Sequence, residues 1–245
     1  MDEHILRLFI RPDAKARTLS QAIEIVPKPT MREEFVDAEG NLALRVRFEG
    51  PADRLTLRSR LVAETLGEAF APAPLPSGLY LEREAPSQEV DALSRRLVQE
   101  VGDEGLAFAH RANSWLFQNL SQIVREEGQP HAPAETLDIR TGACRDYATL
   151  LMDLGRAGGL HARFVSGYQD GDIDLKHRYL HAWVEFWIEG LGWTGFDPTL
   201  GLATADSHIP LAAAAHSRDT APVTGSFWSF HASSELRCHL DLRAS

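Results

Sequence analysis

The sequence predicts an α+β protein, a small antiparallel β-sheet domain followed by a mixed core in which helices come first and strands later. Three observations carry this. Apolar residues alternate with a period of two in residues 1–70, helical periodicity takes over after residue 88, and the period of two returns after residue 160. The 245 residues, 44% of them apolar, suit one large domain or two modest ones with adequate cores.

In the first region Leu42, Leu44, Val46 and Phe48 alternate against Ala43, Arg45, Arg47 and Glu49, just after the turn signal Asp37-Ala38-Glu39-Gly40-Asn41. A hairpin is the simple expectation. Further strands are expected at residues 5–10, 22–26 and 55–62, completing a β-rich N-terminal domain over residues 1–70. Residues 71–88 supply Pro72, Pro74, Pro76 and Pro86, a composition that resists helix and strand and marks a linker.

The core is expected over residues 89–205. Leu93, Leu97 and Val101 form one helical stripe, and Ala109, Ala112, Leu116, Leu120 and Ile123 a longer one that runs out near Gly128-Gln129-Pro130. A third helix opens at Cys144, turns Ala148, Leu151 and Leu154 to a core, and stops at Gly158-Gly159. Strands are then expected at 162–168, 180–188 and 193–197. The C-terminal segment, 206–245, ends in a final strand in which Leu236, Cys238, Leu240 and Leu242 alternate with polar residues, so Cys238 reads as a small core residue.

Composition excludes several classes of function. Twenty-five basic and 35 acidic side chains give a net charge of −10, and neither part of the chain is basic: 12 against 14 up to residue 88, 13 against 21 beyond it. Such a balance repels phosphate backbones, so nucleic acid is not an expected partner. No apolar run approaches the roughly 20 residues of a spanning helix. The N-terminus, with Asp2, Glu3 and Arg7, lacks a signal peptide's apolar segment. A cytoplasmic location with no membrane partner is the expectation. Two cysteines, 144 and 238, rule out a multi-disulfide framework.

The chemistry centres on Gly142-Ala143-Cys144-Arg145-Asp146-Tyr147-Ala148. A nucleophilic cysteine needs a neighbour that stabilises its thiolate, and a helix N-terminus offers unpaired N–H groups and a positive dipole end. The N–H of Cys144 would also face a developing oxyanion. Local sequence alone fits a buried structural cysteine equally well. His181 separates the two: Leu180, Ala182, Val184, Phe186 and Ile188 form an apolar strand face, while His181, Trp183, Glu185 and Trp187 form the other. The imidazole then faces a half-open, aromatic-lined space that suits a general base. His177 is a rival base in a polar loop.

Asp197 ends the next strand before Pro198 and would accept the other ring N–H of His181. Register tests this. An even-numbered turn with Ile188 opposite Trp193 would point Asp197 away; an odd-numbered loop such as Glu189-Gly190-Leu191 sets Asp197 opposite Trp183 and diagonal to His181, within side-chain reach.

Gly142–Ala148, Arg163–Tyr168, His181-Ala182-Trp183-Val184-Glu185 and Trp193 through Asp197-Pro198-Thr199 together resemble the bacterial transglutaminase-like cysteine peptidase family of the transglutaminase-like superfamily. Residues 6–12, Phe35-Val36-Asp37 through Asn41, and Ser59-Arg60 resemble the family's β-rich N-terminal region; His208-Ile209 and Ala221-Pro222-Val223 resemble its C-terminal segment. The resemblance implies a papain-like α+β core with Cys144 as nucleophile, His181 as base and Asp197 as its orienting partner. No cofactor and no metal are expected. Asp146 matches the family motif, with a role in capping or in holding a neighbouring loop. Two departures stand out: His161 replaces a frequent proline, and a strand usual before residues 5–12 has no counterpart, so the N-terminal sheet is expected to be incomplete or to pair with another chain as a route to oligomers.

The implied reaction is attack of the Cys144 thiolate on an amide or ester carbonyl of a peptide or protein, with a thioester resolved by water or by an amine. Trp115 and Asn119 are weak candidates for the second oxyanion donor. The rival reading is a non-catalytic binding module that retains the fold. Calcium fails on Asp170-Gly171-Asp172-Ile173-Asp174, because Leu175 and His181 stand where glycine and glutamate are needed. Zinc at Cys144, His177 and His181 lacks any CxxC or HExxH pattern.

Overall fold

The computed structural model describes residues 2–66, 74–102, 104–125, 127–170, 180–227, 235 and 237–243. Its N-terminal part is a small sandwich. One layer holds β1 (Glu3–Leu6), β3 (Met31–Val36), β4 (Leu42–Arg47) and, from the C-terminal segment, β13 (Val223–Gly225), in the order β13-β1-β4-β3. The other layer pairs β2 (Ala16–Val26) with β5 (Thr56–Thr65). Leu6, Leu8, Ile23, Leu44, Val46 and Phe48 bury themselves between the layers. Strand β1 pairs on one side with β13, whose Thr224 stands opposite Ile5.

The expected hairpin joins β3 to β4, and Asp37 is its fastener. The Asp37 Oδ1 accepts the backbone N–H of Glu39 at 3.0 Å and of Asn41 at 2.9 Å, while Gly40 takes the positive φ of 80° the turn requires. Asn41 then reaches the core: its Oδ1 accepts the Ala213 N–H at 2.8 Å and a hydrogen of Arg11.

The core packs helices on one face of an antiparallel sheet. Its helices are α1 (Gln88–Val101), α2 (Gly105–Asn119), α3 (Pro133–Ile139) and α4 (Cys144–Ala157). Its sheet runs β11-β10-β9-β8-β12, from β8 (Ala162–Gln169), β9 (His181–Ile188), β10 (Gly192–Asp197), β11 (Leu202–Ala203) and β12 (His208–Ala214). Leu97, Phe108, Leu116, Tyr147, Leu151 and Leu154 from the helices meet Val184, Phe186 and Phe196 from the sheet. Among the described residues no helix is long and apolar enough to cross a membrane.

The two parts are tied by a buried arginine. Arg163 on β8 places Nη2 at 3.0 Å from Asp13 and 2.6 Å from Glu185, with its guanidinium 4.4 Å from the Trp193 ring centre. The Pro-rich stretch before α1 contributes a short 3₁₀ turn, Gly78–Leu81, whose Tyr80 hydroxyl donates to Glu39 at 2.6 Å.

Four details depart from expectation. The second helix stops at Asn119, because residues 121–122 turn into β6 (Ser121–Gln122), which pairs in parallel with β7 (Thr141–Gly142). Ile123 is consequently exposed, and its N–H bonds the Gly142 carbonyl at 2.9 Å instead of continuing a helical ladder. Helix α3 was not foreseen, since seven residues are too few to display a period. Cys238 is exposed rather than a core residue, and among the described residues around it Leu240 makes an isolated bridge and no strand forms. Alternation in a short terminal stretch has no force without a sheet edge to bury it against.

Gly167 carries a tight constraint beside the site. A Cβ there would lie 2.2 Å from the Ile209 carbonyl oxygen and 2.6 Å from the Trp183 ring. Because a strand carbonyl cannot swing aside, Gly167→Ala is expected to destabilise the fold by about 1–3 kcal/mol. A urea-unfolding midpoint unchanged from wild type would contradict it.

Candidate active site

Cys144 is the first residue of α4 and half-buried. Its N–H belongs to the opening turn of the helix, whose donors lack intrahelical acceptors. The turn is fixed by Asp146, whose Oδ2 accepts the Ala143 N–H at 2.7 Å while its Oδ1 accepts the His131 N–H at 2.8 Å and pairs with Arg125 at 2.6 Å. Burial opposes the charge of Asp146, but these donors hold its carboxyl below the usual carboxylate range. Asp146 therefore caps the helix and also holds the loop before it. Gly142 lacks a side chain for the same reason: a Cβ there would stand 2.8 Å from that of Asp146. Close approach, not a left-handed backbone, requires the glycine.

His181 opens β9, and Cys144 is among the groups that act on its ring. Its Nε2 lies 2.7 Å from Asp197 Oδ2, which leaves Nδ1 outside that bond. Burial alone would lower the pKa of His181, but the bonds to Asp197 and Cys144 outweigh it and push it up to about 10.

The strand register is the one this contact needs. Ile188 pairs with Gly192 and Val184 with Phe196, so residues 189–191 form a three-residue loop and Asp197 falls beside Trp183, diagonal to His181. The apolar face of β9 lies on the core as expected. The opposite face is less open than alternation suggested: Trp183 is 1% exposed, and its ring stacks near His181 with centres 6.3 Å apart and planes 28° apart.

Asp197 is fully buried and accepts four hydrogen bonds. Oδ2 takes His181 and, at 3.0 Å, His208 Nε2; Oδ1 takes the Thr199 N–H at 2.9 Å and the Thr199 hydroxyl at 2.7 Å. Burial would raise its pKa, yet the two histidines and Thr199 hold it well below the usual carboxylate range. Sequence reasoning missed His208 and Thr199 as partners of Asp197. Both lie in stretches quoted for the resemblance, and a lone histidine opening the apolar run Ile209–Ala215 was the available signal.

Trp115 is buried with the Arg140 guanidinium 4.9 Å from its ring centre, and the Asn119 amide is spent on the Trp115 carbonyl at 2.8 Å. His177 and most of the Asp170–Asp174 stretch lie outside the described residues. Among the described residues one group could gather a metal, His181, Asp197 and His208, with ligand atoms within 4.8 Å of one another. Those atoms already satisfy each other as donors and acceptors, so the set is complete as a hydrogen-bond network.

Comparison with known proteins agrees with this architecture. Residues 91–198 match the Transglutaminase-like superfamily, and residues 2–64 match the Bacterial transglutaminase-like N-terminal region. A protein-glutamine gamma-glutamyltransferase of Pseudomonas aeruginosa is 41% identical over 73 residues, 27% of this chain and 11% of that protein. An uncharacterized protein of Mycobacterium leprae is 24% identical over 241 residues, 89% of this chain and 84% of its own length. The chain thus spans only about a tenth of the Pseudomonas relative. The crystal structure of a candidate cysteine protease from Cytophaga hutchinsonii superposes with a TM-score of 0.68 at 21% identity, covering 91% of this chain and 79% of the other, and shares its fold.

Proposed function

This chain belongs to the transglutaminase-like superfamily, and from that premise we propose that it is a cysteine acyl-transfer enzyme acting on amide bonds of peptides or proteins. Cys144 is the nucleophile, His181 the acid–base residue and Asp197 the group that orients it. The observation that carries this reading is the bond from His181 Nε2 to the buried Asp197 carboxylate at 2.7 Å, with Cys144, the first residue of α4, acting on the same imidazole. A histidine held against a fully buried carboxylate is costly to maintain for packing alone.

In the reaction, the Cys144 sulfur forms a bond to the carbonyl carbon, and the oxygen that gains charge is met by the Cys144 N–H at the helix end. The His181 Nδ1 proton passes to the leaving amine as the C–N bond breaks. The thioester is then resolved by a second nucleophile whose proton returns to His181. Water gives hydrolysis and an amine gives transfer; the similarity to a gamma-glutamyltransferase favours glutamine side chains among the amides to be tried first.

Incubation with peptide libraries containing glutamine, followed by mass spectrometry of the intact chain, is expected to trap an acyl adduct on Cys144 that is absent from Cys144→Ala. Adding a primary amine should divert the product if transfer operates. No adduct with any library, together with equal slow thiol labelling of Cys144 and Cys238, would instead favour a binding module.

A further inference from the structure

His208 has no part in the chemistry just described, yet it shares the oxygen on which that chemistry depends. Asp197 Oδ2 accepts from His181 at 2.7 Å and from His208 at 3.0 Å. A carboxylate has only acceptors to offer, so each ring presents a hydrogen on Nε2. The Nδ1 of His208 is then free to accept the Ser207 hydroxyl, 3.1 Å away. The ring is also packed edge-on to Trp183, centres 5.2 Å apart, and its side chain is only 4% exposed.

We propose that His208 is a positioning residue for the Cys144–His181 pair, clamping the Asp197 oxygen that aims His181 at the thiol; this rests on the cysteine-enzyme reading above. Thr199 fixes Oδ1 through two bonds from the same chain turn. That leaves Oδ2 to pivot with His181 unless a second donor opposes the motion. His208 supplies it from β12, an edge strand two places beyond β9 in the sheet. The carboxylate is thereby held from both sides, and His181 is left one orientation in which Nε2 is satisfied and Nδ1 faces Cys144.

The role is distinguishable from that of a buried histidine that only fills space. The full chain is labelled with iodoacetamide, and the rates at Cys144 and Cys238 are resolved by mass spectrometry, the exposed Cys238 serving as internal reference. His208→Gln keeps a donor at the Nε2 position; His208→Leu keeps bulk and removes it. Loss of a hydrogen bond to a charged acceptor is expected to slow Cys144 labelling about tenfold or more in His208→Leu and less than about threefold in His208→Gln. Labelling of Cys238 should not change in either.

Equal losses in both variants would mean packing alone and overturn the proposal, as would a His208→Leu chain that labels at the wild-type rate. Should His208→Leu fail to fold, Ser207→Ala releases the ring without altering the buried packing, and a slowing of about two- to threefold is expected; no slowing would overturn the role. If wild-type Cys144 labels no faster than Cys238, the enzyme reading itself falls and the positioning role falls with it.

Discussion

Replacing His181 with alanine is expected to slow acylation of Cys144 by on the order of 10²- to 10⁴-fold, the range contributed by a positioned acid–base group. The sulfur keeps its place at the start of α4, so residual reactivity survives through the helix end alone. Asp197 keeps His208 and both Thr199 donors, and the variant should therefore fold. Single-turnover adduct formation, followed with the same peptide for both chains, measures the loss; a His181→Ala rate within threefold of wild type would remove the histidine from the mechanism.

The same variant gives a stability signature whose sign is fixed by the raised pKa. With His181 pushed from 6.5 to about 10 in the folded state, the proton it retains stabilises the fold fully below 6.5 and progressively less as pH rises toward 10. Wild type should therefore lose its advantage over His181→Ala across that interval in denaturant titrations. An advantage that grows with pH would mean that the imidazole is neutral in the folded chain.

The largest loss of stability is expected from Asp146→Ala, about 3–5 kcal/mol, the usual cost of breaking a buried ion pair by removing one member. The carboxylate is fully buried, and its removal leaves the N–H groups of His131 and Ala143 without their acceptor and takes the ion-pair partner of the Arg125 guanidinium, which is 23% exposed and keeps the Glu127 and Gln129 carbonyls. Arg145 reinforces the same loop by donating to the Arg125 carbonyl at 2.7 Å, so the loop loses one of two anchors. Because Ala143 precedes the nucleophile, thiol reactivity at Cys144 should fall together with the unfolding midpoint. Asp146→Asn keeps an acceptor without the charge and should lie between; an Asp146→Ala chain as stable as wild type would show that the loop is held by other contacts.

Much of this was legible in the residues. The face alternation of residues 181–188 placed Val184 and Phe186 on the core, and the requirement that Asp197 reach His181 demanded an odd-numbered loop or a bulge; three residues stand between Ile188 and Gly192. Strand periodicity is a strict constraint: a slip of one residue would turn the whole apolar face to solvent. Where short segments answered to distant partners, the signal failed. Residues 121–122 leave the helical stripe for β7, and α3 offers no period to detect. Cys238 alternates like a strand but is exposed, and no strand forms among the described residues beside it.

The sequence by itself determined that helices come before strands in the core, the helix that begins at Cys144 and the phase of the strand bearing His181, because periodicity and chain punctuation are local properties. Only the tertiary structure decided that Asp197 is shared by two histidines and Thr199, that β13 closes the flank of β1, and that Trp183 is sealed rather than open. Those features bring together residues from separate strands and loops, and the hydrogen bonds and packing that join them depend on distances that the chain acquires only when its layers close.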